Sequence, residues 1–312
     1  MNGMNGEPMD DDSTRLDGRV AVVTGAGRGL GRAEALALAA AGARVVVNDF
    51  DADAAQAVVD EIGAAAVAHP GDVADFATAR AIVEGAVTRF GQLDVVVNNA
   101  GILRDRMLFS MSEEEWDAVL RVHLRGHFAL SRWATAHWRS RSKETGGPVY
   151  ARVVNTASES ALIGAAGQAN YASAKAGIVA LTLATARGCA AYGVRANAIC
   201  PRANTRMTAG GDDTVADDPF GADKVAPLVA YLASPAADRV SGQVFVAYAG
   251  MVALLAAPQV DRRFDAPDGI WTPDALAAEL GPVFAKREPV TDGFMATAVR
   301  GLDGGAWAGR AR

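Results

Sequence analysis

The chain has 312 residues, 50% of them apolar and 21% charged, with a formal net charge of −6. That length and composition indicate a soluble globular protein with room for a large core. The acidic balance excludes the electrostatic footprint of a nucleic-acid binder, and no apolar run reaches the length of a membrane span.

The first residues, MNGMNGEPMDDDSTRLDG, have neither a basic start nor an apolar segment, so residues 1–17 read as a disordered acidic tail rather than a signal peptide. From Arg19 onward, short apolar runs alternate with longer alanine-rich stretches. The runs are RVAVVT (19–24), RVVVND (44–49), AAVAHP (65–70), LDVVVN (93–98), RVVNTAS (152–158), VRANAIC (194–200) and QVFVAY (243–248). Between them lie helical patterns at 30–42, 74–91 and 170–193. Runs that are apolar throughout suit strands covered on both faces, which predicts a parallel sheet. The repeated alternation with right-handed crossovers predicts a Rossmann-type, doubly wound α/β fold of seven parallel strands. There is no internal repeat or linker, so a single domain spans 18–250 and a helical extension follows over 251–312. In that extension Thr272 reads as an N-cap and Pro273 as the first helical residue. Cys189 and Cys200 are isolated in apolar stretches and read as reduced and buried, as in a cytoplasmic protein.

The first strand runs into TGAGRGLG (24–31), followed at once by helix. Gly25, Gly29 and Gly31 permit a tight turn and a close approach to phosphate, and the helix N-terminus offers free N–H groups. A tight turn with no ligand would use the same residues. The second strand ends in Asp49, whose carboxylate suits the adenosine ribose hydroxyls and would repel a 2′-phosphate. That favours NAD over NADP, although Arg28 and Arg44 could each hold a phosphate. Asp72 and Val73 follow the third strand, and Asn98, Asn99, Ala100 and Gly101 follow the fourth, at the sheet edge where such folds bind ligands. Of the two asparagines, one is expected to satisfy the turn and the other to face the cofactor.

Tyr171 and Lys175, in NYASAKAG, stand four apart amid alanines and so share one helix face. Taken alone they read equally as a surface pair. Taken with the loop, the sequence resembles the short-chain dehydrogenase/reductase family. TGAGRGLG matches its TGxxxGxG loop, NNAG its fourth-strand motif and YASAK its YxxxK motif, and Ser158 lies thirteen residues before Tyr171, where the family places a catalytic serine. The resemblance spans about residues 17–250. It implies that Gly25, Arg28, Gly29, Leu30, Gly31, Asp49, Asp72, Val73, Asn99, Ala100, Gly101, Tyr171, Lys175 and Pro201 contact or frame a nicotinamide cofactor. It also implies that Tyr171 exchanges the substrate proton while Ser158 orients the reacting oxygen. A free tyrosine, with a pKa near ~10, is a poor base at neutral pH, and an ammonium one turn away is expected to pull it down.

The family usually carries an asparagine where this sequence has His123, so His123 enters as a fourth catalytic candidate. Through its main-chain carbonyl it can serve the proton relay that the family's asparagine serves. His127 shares its face, but no third ligand lies nearby in sequence, so no metal site is expected. HLRGHF (123–128), GQANYASAKAG (167–177), TRMT (205–208) and the tail DGIWTPDALAAEL (268–280) resemble the (3R)-hydroxyacyl-CoA dehydrogenase part of multifunctional enzyme type 2. This implies oxidation of an acyl-CoA substrate in fatty-acid or sterol side-chain breakdown, with a 17β-type hydroxysteroid dehydrogenase or an NADPH-dependent ketoacyl reductase as alternatives. It further implies a homodimer or homotetramer. The long acidic segment 201–224 is the expected substrate lid, and Arg104, Arg106, Arg262 and Arg263 are candidate contacts for CoA phosphates.

Overall fold

The computed structural model describes residues 11–204, 218–267, 269–288, 299 and 302. The apolar runs form β1 (Val20–Thr24), β2 (Arg44–Asn48), β3 (Ala66–Ala68), β4 (Val95–Asn98), β5 (Ala151–Thr156), β6 (Val194–Pro201) and β7 (Val244–Tyr248). All seven pair in parallel. β1, β4 and β5 are buried along their whole length, as strands covered on both faces must be. The helices that cover them include α1 (Gly29–Ala40), α2 (Ala52–Ile62), α3 (Phe76–Phe90), α4 (Glu113–Leu120), α5 (Gly126–Thr145), α6 (Ser160–Ile163) and α7 (Ala169–Gly188). One apolar layer joins α1, α2 and the helix Ala226–Ala233 to one face of the sheet; a second joins α3 and α5 to the other.

The strand order is β3-β2-β1-β4-β5-β6-β7-β8. The order reverses between β1 and β4, and their connections leave to opposite faces. A crevice therefore opens at the carboxyl ends of these strands.

Two expectations need correction. The sheet has eight strands, because Met251–Leu254 (β8) folds back antiparallel on β7 from Tyr248↔Met251 to Phe245↔Leu254. Ala249 takes a left-handed φ of 50° to make that reversal, so the extension begins as an edge strand rather than as helix. Part of the stretch expected as tail is also built into the fold. Asp11–Thr14 forms a 3-10 turn, and Leu16 is fully buried, with its amide donating to the Ala41 carbonyl at 2.8 Å. A leucine that caps the α1 layer has enough apolar surface to order the residues before it. The helix Pro273–Phe284 does begin at the Thr272 cap, whose hydroxyl accepts from the Ala275 amide at 3.2 Å.

Candidate active site

The crevice is a cleft of about 560 Å³ at the carboxyl ends of the strands. Gly25, Arg28, Gly29, Leu30, Asp49, Asp72, Val73, Asn99, Ala100, Gly101, Pro201, His123, Tyr171 and Lys175 all line it. Gly31 and Ser158 are absent from its wall. Gly31 instead supports the loop from beneath: a Cβ there would lie 2.3 Å from the Gly25 carbonyl oxygen and 2.5 Å from Asn99 Nδ2, so only glycine lets the helix pack this closely. Asn48, Phe50, Ile102 and Arg121 also line the cleft and were not foreseen. Phe50, 83% exposed, follows Asp49 directly, and its sequence position beside the acidic residue was the available signal.

The nucleotide end fits an anion and a ribose. The N-cap of α1, Arg28, makes no side-chain cap, so the first amides of the helix point unsatisfied at the loop. Asp49 is held in place by the Gly27 amide at 2.9 Å and the Asp51 amide at 3.0 Å. Of the two arginines considered for a 2′-phosphate, only Arg28 lines the cleft. Arg28 pairs with Asp51, and Arg44 opens β2 at the end of the sheet away from the cleft, where its guanidinium lies over the Phe90 ring. Asp72 accepts from the Ala74 amide at 2.9 Å and pairs with Arg121 at 2.5 Å. The two asparagines divide the work. Asn98 is buried and donates to Asn155 Oδ1 at 2.8 Å and Ser131 Oγ at 3.0 Å, whereas Asn99 lines the cleft and donates to the Thr24 and Gly25 carbonyls.

At the other end, α7 carries Tyr171 and Lys175 into the cleft. Asn170, fully buried, anchors that end of the helix by donating to the Arg104 and Glu115 carbonyls, each at 3.0 Å. Further along, Asn155 donates to Thr182 Oγ1 at 2.9 Å and ties α7 to the sheet. The Ser158 hydroxyl accepts from the Ser160 amide at 3.2 Å and acts on the Tyr171 phenol to lower its pKa. Lys175 Nζ donates to the Thr156 carbonyl at 2.5 Å and stands 5.4 Å from the Tyr171 ring centre.

The electrostatics depart from the simple expectation. Burial pushes the Tyr171 hydroxyl up from its ordinary value, against the opposing pull of the Ser158 hydroxyl. Burial also lowers Lys175 to about 7, so this ammonium is only partly populated near neutrality. The packing that brings the two together disfavours both charged forms.

His123 sits in a π-helical turn, Arg121–Arg125, between α4 and α5. Such turns are frequent at functional sites. The imidazole is buried, with Nε2 at 3.0 Å from the Ile102 amide nitrogen and 2.8 Å from its carbonyl oxygen, and its ring meets Tyr171 edge-on at 5.2 Å. Burial lowers its pKa to about 3, so it stays neutral and exchanges no proton in the physiological range. His127 is equally buried and its Nε2 has no partner.

Of the lid, residues 205–217 lie outside the described residues, including the TRMT stretch and Asp212, Asp213 and Asp217. Its base is firmly built. Arg202 forks onto Glu159 at 2.5 and 2.8 Å and lies over the Tyr248 ring, which stacks on Phe220. Among the arginines considered for CoA, Arg106 is taken by Glu115 at 3.0 Å and Arg263 by Asp265 at 2.6 Å.

Comparison with known proteins gives a consistent answer. The short chain dehydrogenase family pattern matches residues 19–215. Hydroxyacyl-CoA dehydrogenase ChsB1 of Mycobacterium tuberculosis (strain ATCC 25618 / H37Rv) is 54% identical over 300 residues, covering 91% of this chain and 94% of that protein. Peroxisomal multifunctional enzyme type 2 of Drosophila melanogaster is 41% identical over 234 residues, covering 71% of this chain but 38% of that longer protein. Among solved structures, a short chain dehydrogenase from Mycobacterium avium superposes with a TM-score of 0.80 at 45% identity, over 88% of this chain and 97% of the other. A gluconate 5-dehydrogenase from Burkholderia cenocepacia J2315, in complex with NADP and tartrate, gives 0.68 at 32% identity, over 77% and 97%.

Proposed function

This chain belongs to the short chain dehydrogenase family, the NAD(P)-dependent oxidoreductases, and from that premise we propose that it uses NAD to oxidise a (3R)-3-hydroxyacyl-CoA to the 3-ketoacyl-CoA. The observation that carries this reading is one cleft with Asp49 at one end and Tyr171 and Lys175 at the other. NAD is preferred because Asp49 faces the cleft with its oxygens fixed, while Arg28 is paired with Asp51 and Arg44 lies at the far end of the sheet. The acyl-CoA substrate rests on the likeness to the hydroxyacyl-CoA dehydrogenase named above.

Bound NAD would accept hydride from the carbinol carbon. Tyr171 takes the hydroxyl proton as the carbonyl forms, a role requiring its phenol to be poised for proton exchange. The Ser158 hydroxyl, which lowers the pKa of that phenol, holds the reacting oxygen in line. Lys175 supplies positive charge beside the phenol and a donor for the ribose. His123, neutral and bound to Ile102, walls the pocket behind Tyr171. Trp116 and Phe128, apolar and partly exposed on the helices after β4, support assembly as a homodimer or homotetramer, which sedimentation measures.

The test is reduction of NAD, and separately NADP, by the purified protein with a medium-chain (3R)-3-hydroxyacyl-CoA. Turnover with NAD and a loss of about 100-fold or more in Tyr171→Phe are expected. Turnover on hydroxysteroids alone would replace the acyl-CoA reading, and undiminished turnover in Tyr171→Phe would overturn the mechanism.

A further inference from the structure

One fully buried carboxyl has no use in the chemistry above. Glu34 lies on the inner face of α1, a turn from Leu30 on one side and Leu38 on the other, with no exposed surface. Neither of its carboxyl oxygens has a hydrogen-bond partner. Buried polar atoms are normally paired, and a leucine would fill this layer with nothing left unsatisfied, so packing gives no reason for a carboxyl here.

Its surroundings supply one. Leu30 and Leu38 share their apolar layer with Val154 of β5. Side chains alternate along a strand, so Thr156, two residues beyond Val154, faces the same layer. Its hydroxyl is buried and also without a partner. The carbonyl of that same Thr156 receives the Lys175 hydrogen bond, and Lys175 reaches it from α7 on the opposite side of the sheet. The end of β5 thus stands between an orphaned carboxyl and the buried lysine of the active site.

We propose that Glu34 is a positioning residue for Lys175: from behind the sheet its carboxylate stabilises the ammonium form that the Tyr171 chemistry requires. The inference rests on the reading of Tyr171 and Lys175 given above. Burial disfavours the charged form of both groups, and the charge of each favours the charge of the other. The net charge of the pair is zero whether both groups are ionised or neither is. The other titratable groups acting on Lys175 or acted on by it are Tyr171 on α7, Cys200 on β6, and His123 and His127 beside the π turn. None of them supplies a charge near neutrality. Cys200 is held up at about 12, Tyr171 is raised above its ordinary value, and both imidazoles are kept neutral by burial.

The decisive measurement needs no substrate. Lys175 is one of four lysines, so its amine can be followed by NMR in protein carrying isotope-labelled lysine, assigned with Lys175→Met. In Glu34→Gln the Lys175 midpoint should fall by about one pH unit. Glu34→Leu should do the same, and guards against a defect peculiar to the amide. In turnover assays the rising limb of the oxidation profile should move up by about one unit, with KM for NAD unchanged. If Lys175 titrates at the same pH in wild type and both variants, the proposal is wrong, whatever happens to thermal stability. Undiminished turnover in Tyr171→Phe would instead refute the underlying mechanism, so the two failures are separable.

Discussion

Gly101→Ala is the sharpest probe of how the cleft wall is built. A Cβ at this position would lie 2.2 Å from His123 Cε1 and 3.0 Å from each ring nitrogen. Ordinary contact begins near 3.4 Å, so the ring must retreat by about 1.2 Å, the difference between the two. His123 cannot do this and keep Nε2 within 3.0 Å of the Ile102 amide nitrogen and 2.8 Å of its carbonyl oxygen. Overpacking of this kind costs about 1–3 kcal/mol, and losing the hydrogen bond adds about 1 kcal/mol. The expected total is about 2–4 kcal/mol, read as a fall in the urea midpoint at constant m-value. A double-mutant cycle localises the cause. In a His123→Ala background, where the ring is gone, Gly101→Ala should cost at least about 1 kcal/mol less. An equal cost in both backgrounds, or no cost in the wild type, would refute the account. Because the His123 ring packs against Tyr171, dinucleotide binding followed by NADH fluorescence should weaken in the single variant as well.

Two further outcomes are expected. Asp49→Ser removes the carboxylate that a 2′-phosphate would meet, and should raise the preference for NADP relative to NAD by roughly tenfold or more in kcat/KM; unchanged preference would dismiss Asp49 as the discriminating group. Glu159→Gln should loosen the fork with Arg202 that joins the loop carrying Ser158 to the base of the lid, raising KM for the substrate while leaving NAD affinity within about twofold. The exchanged pair Glu159→Arg with Arg202→Glu should recover part of that loss, and a swap that recovers nothing would show that the ion pair does not hold the loops.

Much of the architecture and of the site was legible in the sequence because it depends on neighbours along the chain. Valine runs between alanine-rich stretches specify strand and helix by their periodicity, and all seven parallel strands lie within two residues of the expected ends. The position of Asp49 at the end of β2, the glycines of the loop and the four-residue spacing of Tyr171 and Lys175 are equally local. The pairing of β8 was not legible, since four apolar residues after a turn carry no signal of what they will lie beside. Nor was the fate of the arginines. Only strand direction removes Arg44 from the cleft, and only the start of α2 brings Asp51 to Arg28.

By itself, then, the sequence determined the order of the elements, the loop that turns between β1 and α1, and the side chains delivered to the carboxyl edge of the sheet. Tertiary structure alone decided their charge states. Glu34 sits in GLGRAEALALAA, where a lone glutamate reads as a solvated helix residue until the fold places it on the inner face with Leu30 and Leu38. Lys175 reads as an ordinary ammonium until α7 is pressed against β5. Protonation follows from how much water is removed from a group and which charges approach it. Those neighbours come from segments far apart in the chain and meet only when the sheet and its two helical layers close.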